Sequence, residues 1–429
     1  MKNKIKFAGI LLCMMLFVSC FDVFPDYLDP NDYEYRGGNE KIYEKTSLIS
    51  TFEHLNDPIV FAMPVYEKRY YKGKKKKFKG TTRYFQRGDI FVVVDIDTNR
   101  IFDWVYFGEE TMFTNSQVLE LGENPKKYYT NSVTSSKIVC LSPESKTVSF
   151  VDYKISGASM PLLQSTSSKA GYATLLTECG LAGEEGTDGL FFYIFDSKED
   201  VLNDRVFLAK TRSGSPFNEY AISDEKGNFW LAKPYNKKNY LWKLDRENNE
   251  VSKYELNSGR EAEKSLFTVN YVEGNKIYIS KWYYEGNDYN NSHNAILLYE
   301  VTGDSVTLVK ENKDAPFFMM AVNANDQLYA VKKNSDVKGE ALIDVFQINK
   351  ETLEMTRIPQ NEDNRFRCNL MYGHLYVRGT KLYLVNSWDK TMIGYKWYDV
   401  ETGEYNNTSY IIYDENVYKG AKQLLEYNN

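Results

Sequence analysis

Residues 224–231, Asp-Glu-Lys-Gly-Asn-Phe-Trp-Leu, begin a pattern that recurs three more times before the C-terminus. In each copy a turn containing Gly or Asn precedes a short apolar strand with an aromatic residue near its middle. The aromatic residues are Trp230, Tyr278, Tyr329 and Tyr383, so successive copies lie 48, 51 and 54 residues apart. Each copy continues into two further predicted strands, and the four copies together span residues 224–413.

A β-rich unit that recurs about every 40–50 residues is typical of a β-propeller, in which each unit forms one blade. Three less regular units precede the four clear ones, at residues 46–108, 117–165 and 170–212. The sequence therefore predicts an all-β fold, a seven-bladed β-propeller over residues 46–429, with six or eight blades as alternatives.

Ring closure in such an array needs a strand from one end of the chain to join the blade at the other end. Either residues 46–53 or the tail at 416–426 fits this role, and residues 418–427 also fit a short helix. Residues 165–188, rich in Ser, Thr and Gly, are predicted to form an irregular insertion within the third unit.

Residues 89–107 predict a β-hairpin. Its turn carries Asp95, Asp97 and Asn99 at alternate positions, as at the start of a calcium-binding EF loop. That loop requires Gly at its sixth position and Glu at its twelfth, where this chain has Arg100 and Tyr106. We therefore expect an ordinary turn and no metal site.

The segment from Asp224 to Trp230 resembles the Asp-x-x-Gly-Asn-x-Trp start of blades in bacterial sensor-type propellers. It is also similar to the Asp box of sialidase propellers, although Asp224 directly follows Ser223, which shifts the register by one. The resemblance covers one turn and one strand per unit. It implies a structural role for Asp224 and Gly227 in shaping the turn, and it implies no activity.

The N-terminus predicts an export signal. Lys2, Lys4 and Lys6 precede an apolar run at residues 7–18, which is too short to span a bilayer. The run ends in Phe-Val-Ser-Cys, which resembles a bacterial lipobox with Phe17 in place of the usual Leu. This resemblance implies acylation of Cys20 and a lipid-anchored protein of the bacterial cell envelope, periplasmic or at the cell surface; a plain cleaved signal is the alternative.

Residues 21–45 are acidic and contain Pro, Gly and Asn, which predicts a flexible tether between the anchor and the folded body. Residues 72–80 contain the one strong run of lysines in the chain. The run fits either a solvated loop or a contact with anionic lipid headgroups or acidic glycans.

Composition argues against several functional classes. The formal net charge is −6, and it becomes about −9 without the three leader lysines, so nucleic acid is a poor partner. The three histidines, His54, His293 and His374, are far apart in sequence, and no Gly-rich phosphate loop is present, so we expect no metal and no cofactor. Beyond the leader, Cys140, Cys179 and Cys368 leave at least one free thiol; Cys140 is predicted to be buried, and a disulfide between two of the three stays open.

Aromatic side chains predicted to lie on loops after the repeated strands are the candidate binding residues. In a propeller these loops gather on one face, where exposed rings suit sugars or protein partners. The candidates are Trp282, Tyr283, Tyr284, Trp388, Tyr235 and Lys237, with Lys238 beside them.

The sequence favours a non-catalytic binding or scaffold protein for a protein partner or a glycan. The alternative is a glycan-active hydrolase or lyase, because paired carboxylates that meet only in space leave no sequence signal. A structural assembly subunit, which would expose apolar patches on blade edges, is the third class.

Overall fold

The computed structural model of the 429-residue chain describes residues 33–35, 44–52, 54–55, 58–72, 82–95, 97–98, 100–108, 118–122, 126–132, 137–152, 162–164, 172–179, 189–202, 206–209, 221–235, 238–248, 250–258, 264–284, 291–316, 321–324, 326–334, 342–358, 366–367, 373–389, 392–405 and 409–412. Every named element in these ranges is a β-strand, which confirms the all-β prediction. Cys20, most of the lysine run, Lys237 and the C-terminal tail lie outside the described residues.

The chain divides into two compact units. The first comprises residues 1–39 and 66–86, and the second comprises residues 40–65 and 87–429. In the first unit, strand β1 (Tyr33–Tyr35) pairs antiparallel with residues 69–71. The predicted tether at 21–45 therefore contains one paired strand, because the Tyr-Glu-Tyr alternation suits a β-ladder.

Within the described residues the strands form seven antiparallel sheets, each built from consecutive strands. Sheet 1 contains β1, β2 (Ile59–Tyr71), β3 (Thr82–Asp95) and β4 (Arg100–Tyr106). Sheet 2 contains β5 (Leu119–Leu121), β6 (Lys127–Ser132), β7 (Lys137–Ser142) and β8 (Thr147–Asp152). Sheet 3 contains β9 (Leu162–Gln164), β10 (Tyr172–Cys179), β11 (Gly189–Asp196), β12 (Val201–Leu202) and β13 (Val206–Ala209).

Sheets 4 to 7 contain the four clear repeats. Sheet 4 contains β14 (Ile222–Ser223), β15 (Phe229–Tyr235), β16 (Lys238–Leu244) and β17 (Val251–Ser258). Sheet 5 contains β18 (Ser265–Glu273), β19 (Lys276–Tyr284), β20 (Ser292–Thr302) and β21 (Ser305–Asn312). Sheet 6 contains β22 (Ala321–Ala324), β23 (Gln327–Asn334), β24 (Leu342–Ile348), β25 (Met355–Ile358) and β26 (Phe366–Arg367), and sheet 7 contains β27 (Gly373–Arg378), β28 (Lys381–Asp389), β29 (Met392–Asp399) and β30 (Ser409–Ile412).

The repeated strand is the second strand of its sheet, and a strand precedes the turn in every copy. Three of the turns are two-residue hairpin loops with a residue at positive φ, namely Gly274, Asp326 and Gly379. Such loops match the twist of the flanking strands, and Gly adopts positive φ at little cost. The repeated aromatics Trp230, Tyr278, Tyr329 and Tyr383 are all buried. Burial raises the pKa of Tyr278 and of Tyr329 to about 12.

The Asp224 turn at the start of sheet 4 is organised by one carboxylate. Asp224 Oδ1 accepts hydrogen bonds from the backbone N–H groups of Lys226 and Asn228, both at 2.9 Å. Asp224 Oδ2 accepts from Asn228 Nδ2 at 2.9 Å and from Trp230 Nε1 at 3.0 Å. Gly227 closes the turn at φ 84° and donates its N–H to the Asp224 carbonyl at 3.0 Å. These contacts give the Asp, the Gly and the Trp of the motif a structural role.

We expect Asp224→Ala to lower the free energy of unfolding by about 2–4 kcal/mol, because it leaves buried donors of Asn228 and Trp230 without acceptors. Urea unfolding of the full chain, followed by far-ultraviolet circular dichroism, measures the change. Asp304→Ala, in the exposed turn between β20 and β21, is the matched control and should change stability by less than about 0.5 kcal/mol. Equal effects of the two substitutions would show that the carboxylate does not hold the turn.

The apolar core lies between neighbouring sheets. One buried cluster joins sheet 4 to sheet 5 through Trp230, Leu241, Val269, Ile279 and Leu297. A second cluster joins sheet 5 to sheet 6, and further clusters join sheet 2 to sheet 3 and residues 48–62 to sheets 1 and 2. The first strands of sheets 4 to 7 also lie beside one another in sequence order. In the described residues, sheets 1 and 2, 2 and 3, 4 and 5, and 5 and 6 thus bury apolar faces against one another.

Residues 45–52 form a strap in the second unit that binds both β4 and the turn between β7 and β8. The Lys45 ammonium lies 2.6 Å from Asp103 Oδ1 and donates to the Trp104 carbonyl at 2.8 Å. Ser47 pairs with Thr147, and Leu48 N donates to the Lys146 carbonyl at 2.8 Å. Because residues 46–53 are bound in this way to sheet 2, the described part of this segment does not complete the last sheet.

The strap is anchored by two buried side chains, Leu48 and Phe52, of which Phe52 is 1% exposed and packs against Tyr128 at a centroid distance of 5.4 Å. We expect Phe52→Ala to lower the free energy of unfolding by about 3–5 kcal/mol, as for other large core truncations. Thermal unfolding of the full chain measures the loss. Ile49→Ala is the matched control on the same strap, because Ile49 is 65% exposed. An equally large loss in the control would contradict the anchoring role of Phe52.

Two other sequence expectations are resolved by the strand order. The predicted insertion at 165–188 is not irregular throughout, because it contains β10, which pairs along its whole length with β11. Its Tyr-Ala-Thr-Leu-Leu-Thr pattern suits a strand despite the surrounding Ser and Gly. The predicted hairpin at 89–107 is confirmed: Asp95 Oδ1 and Oδ2 accept hydrogen bonds from Asp97 N at 3.1 Å and Thr98 Oγ1 at 2.7 Å.

Candidate functional site

The structure corrects the placement of the candidate aromatic residues. Trp282, Tyr283 and Tyr284 lie on strand β19 and not on the loop that follows it. Tyr235 is the last residue of β15, and Trp388 lies in β28. The repeated strands extend further than the sequence pattern indicates, because each has long antiparallel partners; β19, for example, pairs with β20 as far as Tyr284 opposite Ser292. The side chains of Tyr235 and Trp388 lie outside what the structure describes.

Strand alternation places the three adjacent aromatics of β19 on opposite faces of sheet 5. Trp282 and Tyr284 share the face that packs, through Tyr278, Ile296 and Leu298, against sheet 6. Tyr283 lies on the other face, which packs against sheet 4. All three rings are partly buried. The three adjacent aromatic residues therefore belong to two different surfaces of sheet 5.

The Trp282 face, as we call it, contains Trp282, Tyr284 and Ser280 of β19 and the polar residues Thr268, Asn270, Ser292 and Asn294 of the neighbouring strands, together with the apolar Leu266 opposite Trp282 and Ile296 opposite Ser280. The Trp282 and Tyr284 ring centroids are 5.7 Å apart with their planes tilted by 51°. The Lys264 ammonium lies 5.9 Å from the Tyr284 ring centroid. Asn294 is the register partner of Trp282 on β20, so the two side chains are adjacent on this face.

The Tyr283 face consists of Phe267, Lys281, Tyr283 and His293, with Ser265. The Lys281 ammonium lies 4.9 Å from the Tyr283 ring centroid, and the His293 ring lies 5.5 Å from the same ring. Asn257 Nδ2 donates to Ser265 Oγ at 3.1 Å and so connects this face to sheet 4. Sequence pattern does not mark Lys281, His293 or Asn294 as neighbours of the rings, because only strand register brings them together.

Lys238, the cation beside the candidate Lys237, has an ion-pair partner. Its ammonium lies 2.6 Å from Glu255 Oε2 across β16 and β17. The hydrogen bond to Glu255 and its negative charge raise the pKa of Lys238 above its usual value. The pair is exposed, so it contributes little to stability.

Buried carboxylates in the described residues support local structure. Asp103 accepts hydrogen bonds from Ile49 N and Trp104 N, both at 2.8 Å. Asp399 accepts from the backbone N–H groups of Glu401 and Thr402 at 3.0 and 3.1 Å. Burial acts to raise the pKa of Asp399, but these hydrogen bonds outweigh it and hold that pKa below the usual value. Among the described residues no group of three or more His, Cys, Asp and Glu side chains is arranged to hold a metal ion.

Cys140 is buried, as predicted, and it is free, so it takes no part in the disulfide that the sequence left open. Burial raises the pKa of its thiol to about 11, so the thiolate that reacts with electrophiles is scarce at neutral pH. Its register partner Tyr129 donates its hydroxyl to Asp200 Oδ1 at 2.7 Å, and Lys127 Nζ lies 2.5 Å from Asp200 Oδ2. This cluster joins sheet 2 to the turn after β11 in sheet 3. Cys179 lies on β10 and Cys368 lies outside the described residues.

Comparison with known proteins identifies no family. No family model matches the chain, and no curated protein matches it significantly. A functionally unknown protein from Desulfotomaculum acetoxidans is similar with a TM-score of 0.45 and 12% identity, over 75% of this chain and 92% of that chain. The β-propeller domain of the Trilobed protease from Pyrococcus furiosus has a TM-score of 0.42 and 14% identity, over 68% of this chain and 84% of that chain. Prolyl oligopeptidase B from Galerina marginata has a TM-score of 0.45 and 13% identity, over 86% of this chain and 51% of that chain. At these TM-scores and identities, neither fold detail nor activity carries over to this chain.

In the described part of the chain, no helix is long and apolar enough to cross a membrane. Exposed large apolar side chains there are Ile49, Phe150, Val201, Leu308, Val309 and Tyr405. Leu308 and Val309 are neighbours on β21, the outer strand of sheet 5, and the others lie apart in the sequence. The Trp282 face combines an adjacent Trp–Tyr pair, both rings partly buried, with polar side chains.

Proposed function

We propose that the antiparallel sheets are the blades of a seven-bladed β-propeller. Seven sheets in the described residues follow one another in chain order, and the first strands of sheets 4 to 7 are neighbours. Burial between consecutive sheets supports this architecture, because stacking around a ring covers both faces of each blade and leaves only short edges.

The protein is, in this proposal, a lipoprotein of the bacterial cell envelope that is anchored through Cys20. The basic, apolar and Ser-Cys segments of the first 20 residues support it. Acyl chains on the cysteine would anchor the protein firmly, since each buried methylene contributes about 0.8 kcal/mol.

Cys20→Ser tests the anchor. We expect the substitution to abolish incorporation of radiolabelled palmitate and to move the full-length protein out of the membrane fraction, because the thiol that accepts the diacylglycerol is absent. Cys13→Ser, within the leader, is the matched control and should keep both properties. Labelling of the Cys20→Ser protein would contradict the proposal.

The function that the site supports best is non-catalytic binding of a protein partner or a glycan. The observation that carries this proposal is the adjacent, partly exposed pair Trp282 and Tyr284 beside the amide of Asn294. Large aromatic rings at the end of a rigid strand provide contact area at low cost in conformational entropy, and such rings are frequent at binding hot spots. Tyr235, Lys237 and Trp388 are the candidates that the sequence alone offers for the same role in other repeats.

Crosslinking in the native envelope followed by affinity capture of the full-length protein tests the binding function. Trp282→Ala and Trp388→Ala should each reduce the captured partner by about tenfold, as expected for the loss of a hot-spot side chain. Trp397→Ala is the matched control, because Trp397 is also partly buried but lies on β29 under the Lys381 ammonium, 4.9 Å from its ring centroid. Unchanged capture by both of the first two variants would remove the proposed surface.

A further inference from the structure

Along strand β19, the side chains on the Trp282 face change from apolar to polar and then to partly exposed aromatic rings. Tyr278 at one end packs in the apolar cluster between sheets 5 and 6. The next residues on the same side are Ser280, which is fully buried, and then Trp282 and Tyr284, which are partly buried. The apolar contact between the sheets thus gives way to polar side chains and then to aromatic rings. This is the order of surfaces found in a small-molecule site, where a few placed polar groups lie beside apolar walls.

Asn270 supplies the first polar group. It is the extra residue of the β-bulge between Val269 and Tyr271, and it is completely buried. Its Nδ2 donates to the Thr268 carbonyl and to Ser280 Oγ, both at 2.9 Å. A carbonyl only accepts hydrogen bonds, so the amide nitrogen must face it, and Oδ1 points the other way. Among the described residues Asn270 Oδ1 is buried without a hydrogen-bond donor.

Asn294 supplies the second polar group of the Trp282 face. Its Oδ1 is also buried without a donor in the described part of the chain. Asn294 lies on β20 opposite Trp282, two residues before Ile296, which is the register partner of Ser280. The side chains of Asn294 and Ser280 therefore share one face of sheet 5. An unpaired buried acceptor costs about 1–3 kcal/mol, so native proteins seldom retain one without a reason. Two such acceptors lie on this face, and a ligand that brings hydrogen-bond donors would satisfy them.

We infer that the Trp282 face binds a sugar ring, with Trp282 and Tyr284 against the ring and the Asn294 carbonyl oxygen accepting a hydrogen bond from a hydroxyl. A pyranose combines a flat face of C–H groups with several hydroxyl donors, which matches aromatic rings beside unpaired acceptors. Asn270 Oδ1 lies deeper and accepts from a second hydroxyl or from a water molecule that the bound ring encloses. This inference rests on the proposed binding function and specifies its ligand as a saccharide.

The Tyr283 face is the natural comparison surface. Tyr283 packs against the core cluster between sheets 4 and 5, and Lys281 lies over its ring. His293 is adjacent to Asn294 in sequence but lies on this opposite face. Substitutions at His293 and Asn294 therefore alter neighbouring positions of one strand while affecting different surfaces.

The test begins with the full-length protein in detergent on an array of immobilised oligosaccharides with glucose, mannose, galactose, xylose, N-acetylhexosamine and uronate backbones. The best oligosaccharide is then titrated by calorimetry against three variants. Trp282→Ala and Asn294→Leu should each weaken binding by about tenfold or more, and His293→Leu should leave the affinity within about twofold. Asn294→Leu should also leave the thermal unfolding midpoint unchanged or raised, because it removes an unpaired acceptor. A merely structural role for Asn294 predicts the opposite, a lowered midpoint.

Each outcome decides the inference. Saccharide binding that depends on Trp282 and Asn294 but not on His293 supports it. Saccharide binding that is equal in all variants places the sugar elsewhere and overturns it. If no oligosaccharide binds while the crosslinked partner depends on Trp282, the ligand is a protein, so the saccharide inference fails and the binding function stands. If neither a saccharide nor a partner is found, both fail.

Discussion

Burial of apolar sheet faces against the next sheet is the constraint on which the rest of the second unit depends. A four-stranded antiparallel sheet with apolar residues on both faces cannot remain in water alone, since the buried side chains would lose about 25 cal/mol per Å² of apolar surface. Each core cluster in the described residues combines side chains from neighbouring sheets, such as Tyr278 with Leu328 between sheets 5 and 6. The stability of one sheet is therefore inseparable from that of its neighbours, as in other repeat architectures.

Hydrogen bonds and ion pairs add to the apolar burial at turns and at the junctions between sheets. Asp224 gathers four donors at the start of sheet 4. Asp103 and Lys45 hold the strap, and Asp200 joins sheet 2 to sheet 3 through Tyr129 and Lys127. In each case a carboxylate is buried or half-buried together with the donors that compensate its loss of water. These acidic residues are thus accounted for by structure, in the part of the chain that the structure describes.

The Trp282 face differs from these carboxylate sites. The carboxylates of Asp224, Asp103 and Asp200 have hydrogen-bond donors, whereas the carbonyl oxygens of Asn270 and Asn294 lack donors among the described residues. On the opposite face of sheet 5, His293 Nε2 is also buried without a hydrogen-bond partner in the described part of the chain. Unfavourable local arrangements that persist in a native protein tend to occur at functional sites, where a ligand supplies what the chain does not. Aromatic rings at the same end of the sheet give that ligand a surface to contact. The proposal of a saccharide rests on this combination and not on any likeness to known proteins.

Local pattern determined the strand class, the spacing of the repeats and the buried aromatic at each strand centre, because alternation and turn chemistry act over a few residues. It also indicated that Asp224 and Gly227 shape a turn. It did not reveal β10 within the Ser- and Gly-rich segment, the strand at Tyr33–Tyr35, or the extension of β19 through its aromatic triplet, since each depends on pairing with another strand that local pattern does not specify. Only the tertiary structure placed Trp282 and Tyr283 on opposite surfaces and brought Asn294 beside Trp282, because cross-strand register joins residues that the sequence keeps apart.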